Sequence, residues 1–296
     1  MDNMEITDIF CFADDFVKAL GRTKWGQEML RTEWHGRRGP KKSLGLAEVI
    51  ALNVLRNKLR ILDLKTFVNL ARNSYNNLFP NLPNYPNFVK ASNQSMKFID
   101  MFMGYLIEVN RRASKGETYF IDSTPVPVCE NWNISSHKVA KETATRSKTT
   151  KGWYYGHKLH GACDSDMNLV GLKLTTANVA DSKMAEDVTH GMEGLFVGDA
   201  GYLLNQDVFK RMFEQHVHIM AAKRNNMKGI MTTAQYKLLK KRSCIETVWG
   251  MLKERYNLVY HMARSVLGLF RHYCYSVLSY MIDKFFDQRP PLLTPA

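Results

Sequence analysis

At Gly116 the hydrophobic pattern of this 296-residue chain changes its period, and that change limits the folds open to it. Before it, apolar residues recur at helical spacing, as in Leu46, Val49, Ile50, Val54 and Leu55. Leu64, Phe67, Val68 and Ala71 repeat the pattern after Asp63, whose side chain suits an N-cap. Pro80, Pro83 and Pro86 then interrupt, so no helix is expected to cross that segment. Ser95 is expected to cap a third helix with an inner stripe of Phe98, Phe102, Tyr105, Leu106 and Val109. After Gly116 the reading changes. Thr118 to Asp122 is β-rich and ends in a carboxylate, Trp153 to Cys163 reads as a second strand and Leu169 to Thr175 as a third. Asp181 to Met192 is expected to be helical, Leu195 to Val197 a short buried strand, Gln206 to Gln215 a helix and His218 to Ala222 a fifth strand. This order points to a mixed α/β layer rather than a sandwich. From Lys240 the pattern is helical again, with an apolar stripe of Val266, Leu269, Phe270, Tyr273, Val277 and Met281, and Pro290-Pro291 ends the fold. The expected organisation is an all-α domain over 1–115. A mixed five-stranded sheet flanked by helices follows over 116–296, the C-terminal helices included.

Composition narrows the partners. Hydrophobic residues make up 45% of the chain, enough for a core, and no apolar run reaches the ~18 residues of a membrane span. Met1 to Phe10 is acidic and polar, unlike a secretory signal. The five cysteines are scattered without a CxxC pair, which suits a reducing cytoplasm and buried thiols. The net charge of +13 and pI near 9.5 favour a polyanionic partner. Seven basic residues lie between Arg22 and Lys42, six between Ser136 and His160, and nine between Lys223 and Arg255. One such run reads as a solvated face; three together favour nucleic acid, where each Lys or Arg meeting a phosphate releases counterions. The N-terminal helices are accordingly compatible with a DNA-end binder of helix-turn-helix type, or with a plain packing domain.

Three carboxylates stand out. Asp122 closes an apolar strand, Asp199 follows Leu195-Phe196-Val197-Gly198, and Glu246 lies in the helical stretch Arg242-Ser243-Cys244-Ile245-Glu246. Taken singly, the aspartates read equally as turn formers or helix caps. If the three converge, they form an all-oxygen set suited to two Mg²⁺ or Mn²⁺ ions and phosphodiester chemistry. At about 100° per residue, Arg242, Trp249 and Lys253 fall within roughly 60° of Glu246, one stripe joining an acid to cations and an indole. Such a face suits a metal ligand beside phosphate-gripping residues. The alternative is a surface helix with an Arg242–Glu246 ion pair worth only ~0.3–0.5 kcal/mol.

Ile121-Asp122-Ser123, Gly198-Asp199-Ala200-Gly201-Tyr202 and the Arg242, Glu246, Lys253 set resemble the catalytic acids and Arg-Glu-Lys signature of bacterial insertion-sequence DDE transposases. Gly156 to His160 and Leu174 to Asp181 are also similar to segments of that family, and the likeness covers roughly 115–260. Two departures stand: Leu239 occupies the place of a usual tyrosine, Tyr236 lying one helical turn away, and Thr176 replaces a usual proline. The resemblance implies a ribonuclease-H-like core in which Asp122, Asp199 and Glu246 hold two Mg²⁺ or Mn²⁺ ions. It implies cleavage at the terminal inverted repeats, then transfer of the 3′-hydroxyl into target DNA. Arg242, Lys253, Lys158 and Trp249 would contact DNA or its phosphates. The implied partners are double-stranded DNA and a second copy when two ends are paired, in a bacterial cytoplasm at the nucleoid. Two rivals remain open: a ribonuclease-H-like nuclease or resolvase that cuts without joining, and a non-enzymatic DNA-binding descendant.

Other motifs carry less. His157, His160 and Cys163 are spaced so that the two histidines face opposite sides of a strand, which disfavours a shared zinc. Trp153-Tyr154-Tyr155 reads as core on a central strand, or as a base-stacking platform. Trp249 is compatible with stacking on an unpaired base or with packing beneath its helix. Asp164 and Asp166 suit a turn between strands, and Asp181, Glu186 and Asp187 suit the N-terminus of a helix.

Overall fold

The computed structural model describes residues 3–36, 42–114, 116, 118–150, 152–222 and 232–287. Parts of the basic runs (Arg37, Arg38, Lys41, Lys151, Lys223, Arg224 and Lys228) and Pro290-Pro291 lie outside these residues. The chain divides into two compact units, residues 1–104 with 252–296, and residues 105–251. The C-terminal helix, expected with the sheet, groups with the N-terminal helices instead.

The first unit is helical: α1 (Asn3–Gly21), α2 (Lys24–Met29), a π-helical turn Leu30–His35, α3 (Leu46–Lys58), α4 (Leu64–Ser74), α5 (Tyr85–Gln94), the start of α6 (Met96–Ala113) and α11 (Val266–Asp287). Asp63 caps α4 as expected, accepting from Thr66 N. Pro86 does not bar a helix: it sits in the first turn of α5, where its missing N–H costs nothing, and Asn84 supplies the cap. Ser95 is no N-cap, because its φ and ψ are helical; its hydroxyl is 2.7 Å from Tyr275 Oη. Tyr105 leaves the expected inner stripe of α6 and is 54% exposed. α11 is buried nearly all round, from Gly268 to Asp283, which explains its grouping. A helix apolar on every side must sit inside a bundle, and α11 packs on α3 and α5. Its buried Asp283 is paired: Lys58 Nζ meets Asp283 Oδ1 at 2.6 Å and Tyr256 Oη donates to Asp283 Oδ2 at 2.6 Å.

The second unit is the mixed layer. Its strands are β1 (Thr118–Cys129), β2 (Thr145–Thr149), β3 (Gly152–Cys163), β4 (Leu169–Thr176), β5 (Gly194–Gly198) and β6 (Val217–Ala221). The helices of this unit are α7 (Asp181–Thr189), α8 (Gln206–Glu214), α9 (Thr233–Lys241) and α10 (Ser243–Glu254), the last running to the unit's end. The order is β2-β3-β1-β5-β6, with β4 on the same side of β3 as β2. β1, β3 and β4 are antiparallel neighbours, whereas β5 and β6 run parallel to β1. Three antiparallel strands followed by two parallel ones make the ribonuclease-H-like sheet that the resemblance implied. β2 is additional: Thr145 to Thr149 forms a hairpin with the start of β3.

β1 also runs past its expected end. It continues through Pro125 and Pro127 to Cys129, leaving Asp122 in mid-strand. The ladder with β5 stops at Phe120, so beyond it one side of β1 has no strand to bond. Two prolines two residues apart present their missing N–H groups to one side, and an edge tolerates them. Tyr119 and Ile121 join Ala162, Val170, Ala185, Val188 and Phe196 in a core beneath α7. Phe120 and Asp122, offset by one, point to the other face.

Candidate active site

Register brings the two aspartates together. Phe120 pairs with Val197 on the parallel strand β5. Asp122 and Asp199 each lie two residues further, so they stand side by side where β5 ends. Asp199 caps a short turn over Ala200–Tyr202, its Oδ1 accepting from Gly201 N at 2.8 Å. It is therefore both a turn former and a member of the cluster. A Cβ on Gly201 would stand 2.9 Å from Asp199 Oδ1 and 3.0 Å from Asp181 Oδ2, so a side chain there would press on both carboxylates. Tyr202, fully buried, lies under them and packs against Gly198.

Glu246 comes from a different direction. It occupies the first turn of α10, where the helix N-terminus favours an acid. Arg242, the residue between α9 and α10, joins it to the aspartates: its guanidinium bonds Glu246 and stands 3.6 Å from Asp122 Oδ1. The side chain of Glu246 is 54% exposed, that of Asp122 only 16%. Burial pushes the Asp122 carboxyl up to about 7, with Asp199 and Asp181 adding to the rise. The Arg242 charge and the Ser123 N–H oppose it. Among the described residues no three acid, imidazole or thiol groups stand close enough to enclose an ion. Arg242 bridges the space between the aspartates and Glu246.

The other expected contacts divide. Lys253 lies in the last turn of α10. Trp249 does not share the open face of Glu246: it is 4% exposed, and a Cβ on Gly161 of β3 would meet its Cη2 at 2.7 Å. The roughly 60° between the two residues is enough to turn one outward and the other onto the sheet. A ring packed there has no free face for a base. Lys158 is also turned inward, donating to Val179 O at 2.9 Å and pairing with Asp181 Oδ1 at 3.3 Å. Its ammonium holds a carboxylate, not an open phosphate position.

Asp181, expected as a solvated helix-terminal acid, is instead a fourth carboxylate of the cluster. Its Oδ1 also lies 3.4 Å from Nδ1 of the fully buried His160, whose Nε2 meets Thr175 Oγ1 at 2.9 Å. Burial lowers His160 to about 4. His157 has a separate partner, Thr143 Oγ1, at 3.3 Å. Asp181 sits just past β4, and the pairing of Lys158 with Thr175 carries the chain back beside β3. Nothing local marks it; only that register does.

A second feature was not foreseen. The β2–β3 hairpin exposes Arg146, Lys148 and Trp153, the last 60% exposed with Lys148 Nζ 5.8 Å from its ring centre. Trp132, 81% exposed, lies in the preceding loop. Trp153 is thus not core: it lies at the start of β3, paired with Lys148 of β2. Tyr236, 54% exposed, lies on α9 with Lys240 Nζ 4.8 Å from its ring.

No helix among the described residues is long and apolar enough to cross a membrane. No curated protein matches the chain. The family model of the transposase DDE domain matches residues 112–266, more than half of the chain, and spans all three acids. With that match laid over an acid-bearing ribonuclease-H-like sheet, the chain belongs to the DDE transposases of the insertion-sequence type.

Proposed function

We propose that this protein is the transposase of an insertion sequence, cutting DNA at the terminal inverted repeats and joining the freed 3′-hydroxyl to target DNA. What supports the reading is the pairing of Phe120 with Val197, two residues before Asp122 and Asp199, with Asp122 raised to about 7 by burial and by its acidic neighbours. Carboxylates crowded in this way repel one another, and hard divalent cations relieve the repulsion more fully than Arg242 alone. Asp122, Asp199 and Glu246 would hold two Mg²⁺ or Mn²⁺ ions, all through oxygen. Bound there, the ions supply Lewis-acid activation of the attacking oxygen and neutralise charge on the leaving one.

The chain's own residues do the rest. Arg242 is placed to neutralise phosphate charge near the scissile bond once it leaves Glu246, and Lys253 lies on the same helix. Lys158 holds Asp181 against the sheet and so steadies the turn bearing Asp199. Tyr202 closes the floor of the site to water. The exposed Arg146, Lys148, Trp153 and Trp132 offer charge and aromatic faces to DNA leading to the site. The helical unit, basic at its flanks, binds the element ends. Pairing of two ends calls for a homodimer, working in the cytoplasm at the nucleoid.

Asp122→Asn, Asp199→Asn and Glu246→Gln are each expected to abolish Mg²⁺-dependent cleavage of terminal-repeat DNA while leaving DNA binding intact. Cleavage at the wild-type rate by one of them removes that residue from the site. Pre-cleaved ends supplied with target DNA test joining: cleavage without strand transfer replaces the transposase reading with that of a nuclease.

A further inference from the structure

The helical unit contains a cleft of about 400 Å³ at the N-terminus of α11, faced by Arg56, Arg264 and Arg271. Arg56 is only 4% exposed. Its two terminal nitrogens donate to Leu62 O at 3.3 Å and Asn57 Oδ1 at 3.0 Å, while its Nε has no partner. Arg271 donates to the neutral Asn93 Oδ1 at 2.6 Å. Burial and the nearby Arg271 charge lower Arg56 to about 10, so it stays protonated at neutral pH. Asp63 is the acidic residue among those lining the cleft, and its Oδ2 is taken by Thr66 N and Oγ1 at 2.7 and 2.8 Å. Three guanidinium groups therefore face one engaged carboxylate. Ser265 Oγ accepts from Gly268 N at 3.1 Å and starts a 22-residue helix, and both residues line the same cleft.

Buried charge without a counter-ion is costly, and three guanidinium groups around one cleft at a helix N-terminus match a tetrahedral oxyanion. We propose that this cleft is a phosphate-binding site, formed by Arg56, Arg264, Arg271 and the N-terminus of α11. It goes beyond the proposed cleavage chemistry, since none of its residues belongs to the acidic centre. The phosphate is either that of a DNA strand or that of a free phosphate compound.

Thermal unfolding of the full chain in inorganic phosphate, against chloride at equal ionic strength, tests the site. The wild-type midpoint is expected to rise by roughly 5 °C when phosphate is about a hundredfold above its Kd. Arg264→Gln, on the surface, and Arg271→Met should each lose most of that rise. No rise beyond chloride, or an equal rise in both variants, overturns the proposal. Duplex DNA binding by the same variants identifies the source. A tenfold loss assigns the phosphate to DNA, and unchanged DNA affinity with a lost phosphate response assigns it to a free compound; either supports the site. Failure of the cleavage reading, scored with Asp122→Asn, leaves this test intact.

Discussion

A single methyl group added at Gly161 asks whether the position of α10, and with it Glu246, controls the acidic centre. Gly161 is the β3 partner of Asp122, and Trp249 lies over it. A Cβ there would meet Trp249 Cη2 at 2.7 Å, against the 3.4 Å at which ordinary contact begins, a deficit of about 0.7 Å. Gly171 O at 3.1 Å and Leu172 Cδ1 at 3.3 Å close two other directions. Trp249 is buried and its fused rings cannot fold aside, so α10 must lift from the sheet and take Glu246 with it. Overpacking of this kind costs about 1–3 kcal/mol. A misplacement near 1 Å can slow catalysis about a hundredfold. Gly161→Ala is therefore expected to lower the thermal midpoint by a few degrees and to slow Mg²⁺-dependent cleavage about 10- to 100-fold, with DNA binding retained. Trp249→Phe in the same chain removes the colliding ring and should restore much of the rate. Wild-type cleavage by Gly161→Ala, or a double variant no faster than the single one, refutes the reasoning.

Three further outcomes follow from the same structure. Lys58→Met should destabilise the chain by about 1–3 kcal/mol in urea unfolding, because buried Asp283 then keeps Tyr256 Oη and, at 3.6 Å, Arg255 but loses its nearest cation, whereas Lys58→Met with Asp283→Leu should recover most of the loss. His272, buried and beside Arg56, is depressed to about 3 from 6.5. The unfolded chain takes up its proton first, so His272 favours folding fully above pH 6.5 and loses this as pH falls toward 3. Between pH 7 and 5 the loss is about 2 kcal/mol, and His272→Gln should flatten that part of the stability curve. Arg242→Gln removes the cation bridging Asp122 and Glu246. Calorimetry without DNA should show Mn²⁺ binding at least about tenfold tighter, while cleavage slows; weaker Mn²⁺ binding would make Arg242 a support of the site.

Much of the layout could be read from the residues. Period, caps and turn chemistry are local properties, so Asp63 before α4 and the five core strands were legible. The three acids stood out as well, but taken singly the aspartates read as turn formers or helix caps. The misplaced elements have non-local causes. β1 crosses two prolines because its neighbour β5 stops early, and β2 exists because it pairs with β3. Trp249 and Lys158 were read as facing DNA from helical angle and charge, but which side of an element meets solvent depends on what packs there.

The order of periodic segments determined a helical part and a mixed sheet, and the motifs around Asp122, Asp199 and Glu246 were enough to show a resemblance to the insertion-sequence DDE transposases. Tertiary structure decided which groups touch. Parallel register set Asp122 beside Asp199, the chain's return past β4 brought Asp181 to them, and Arg242 came to bridge the aspartates to Glu246. It also decided that α11 belongs with α3, far away in sequence. Local preferences act over a few residues, whereas charge pairing and burial act between surfaces that meet only once the chain has closed on itself.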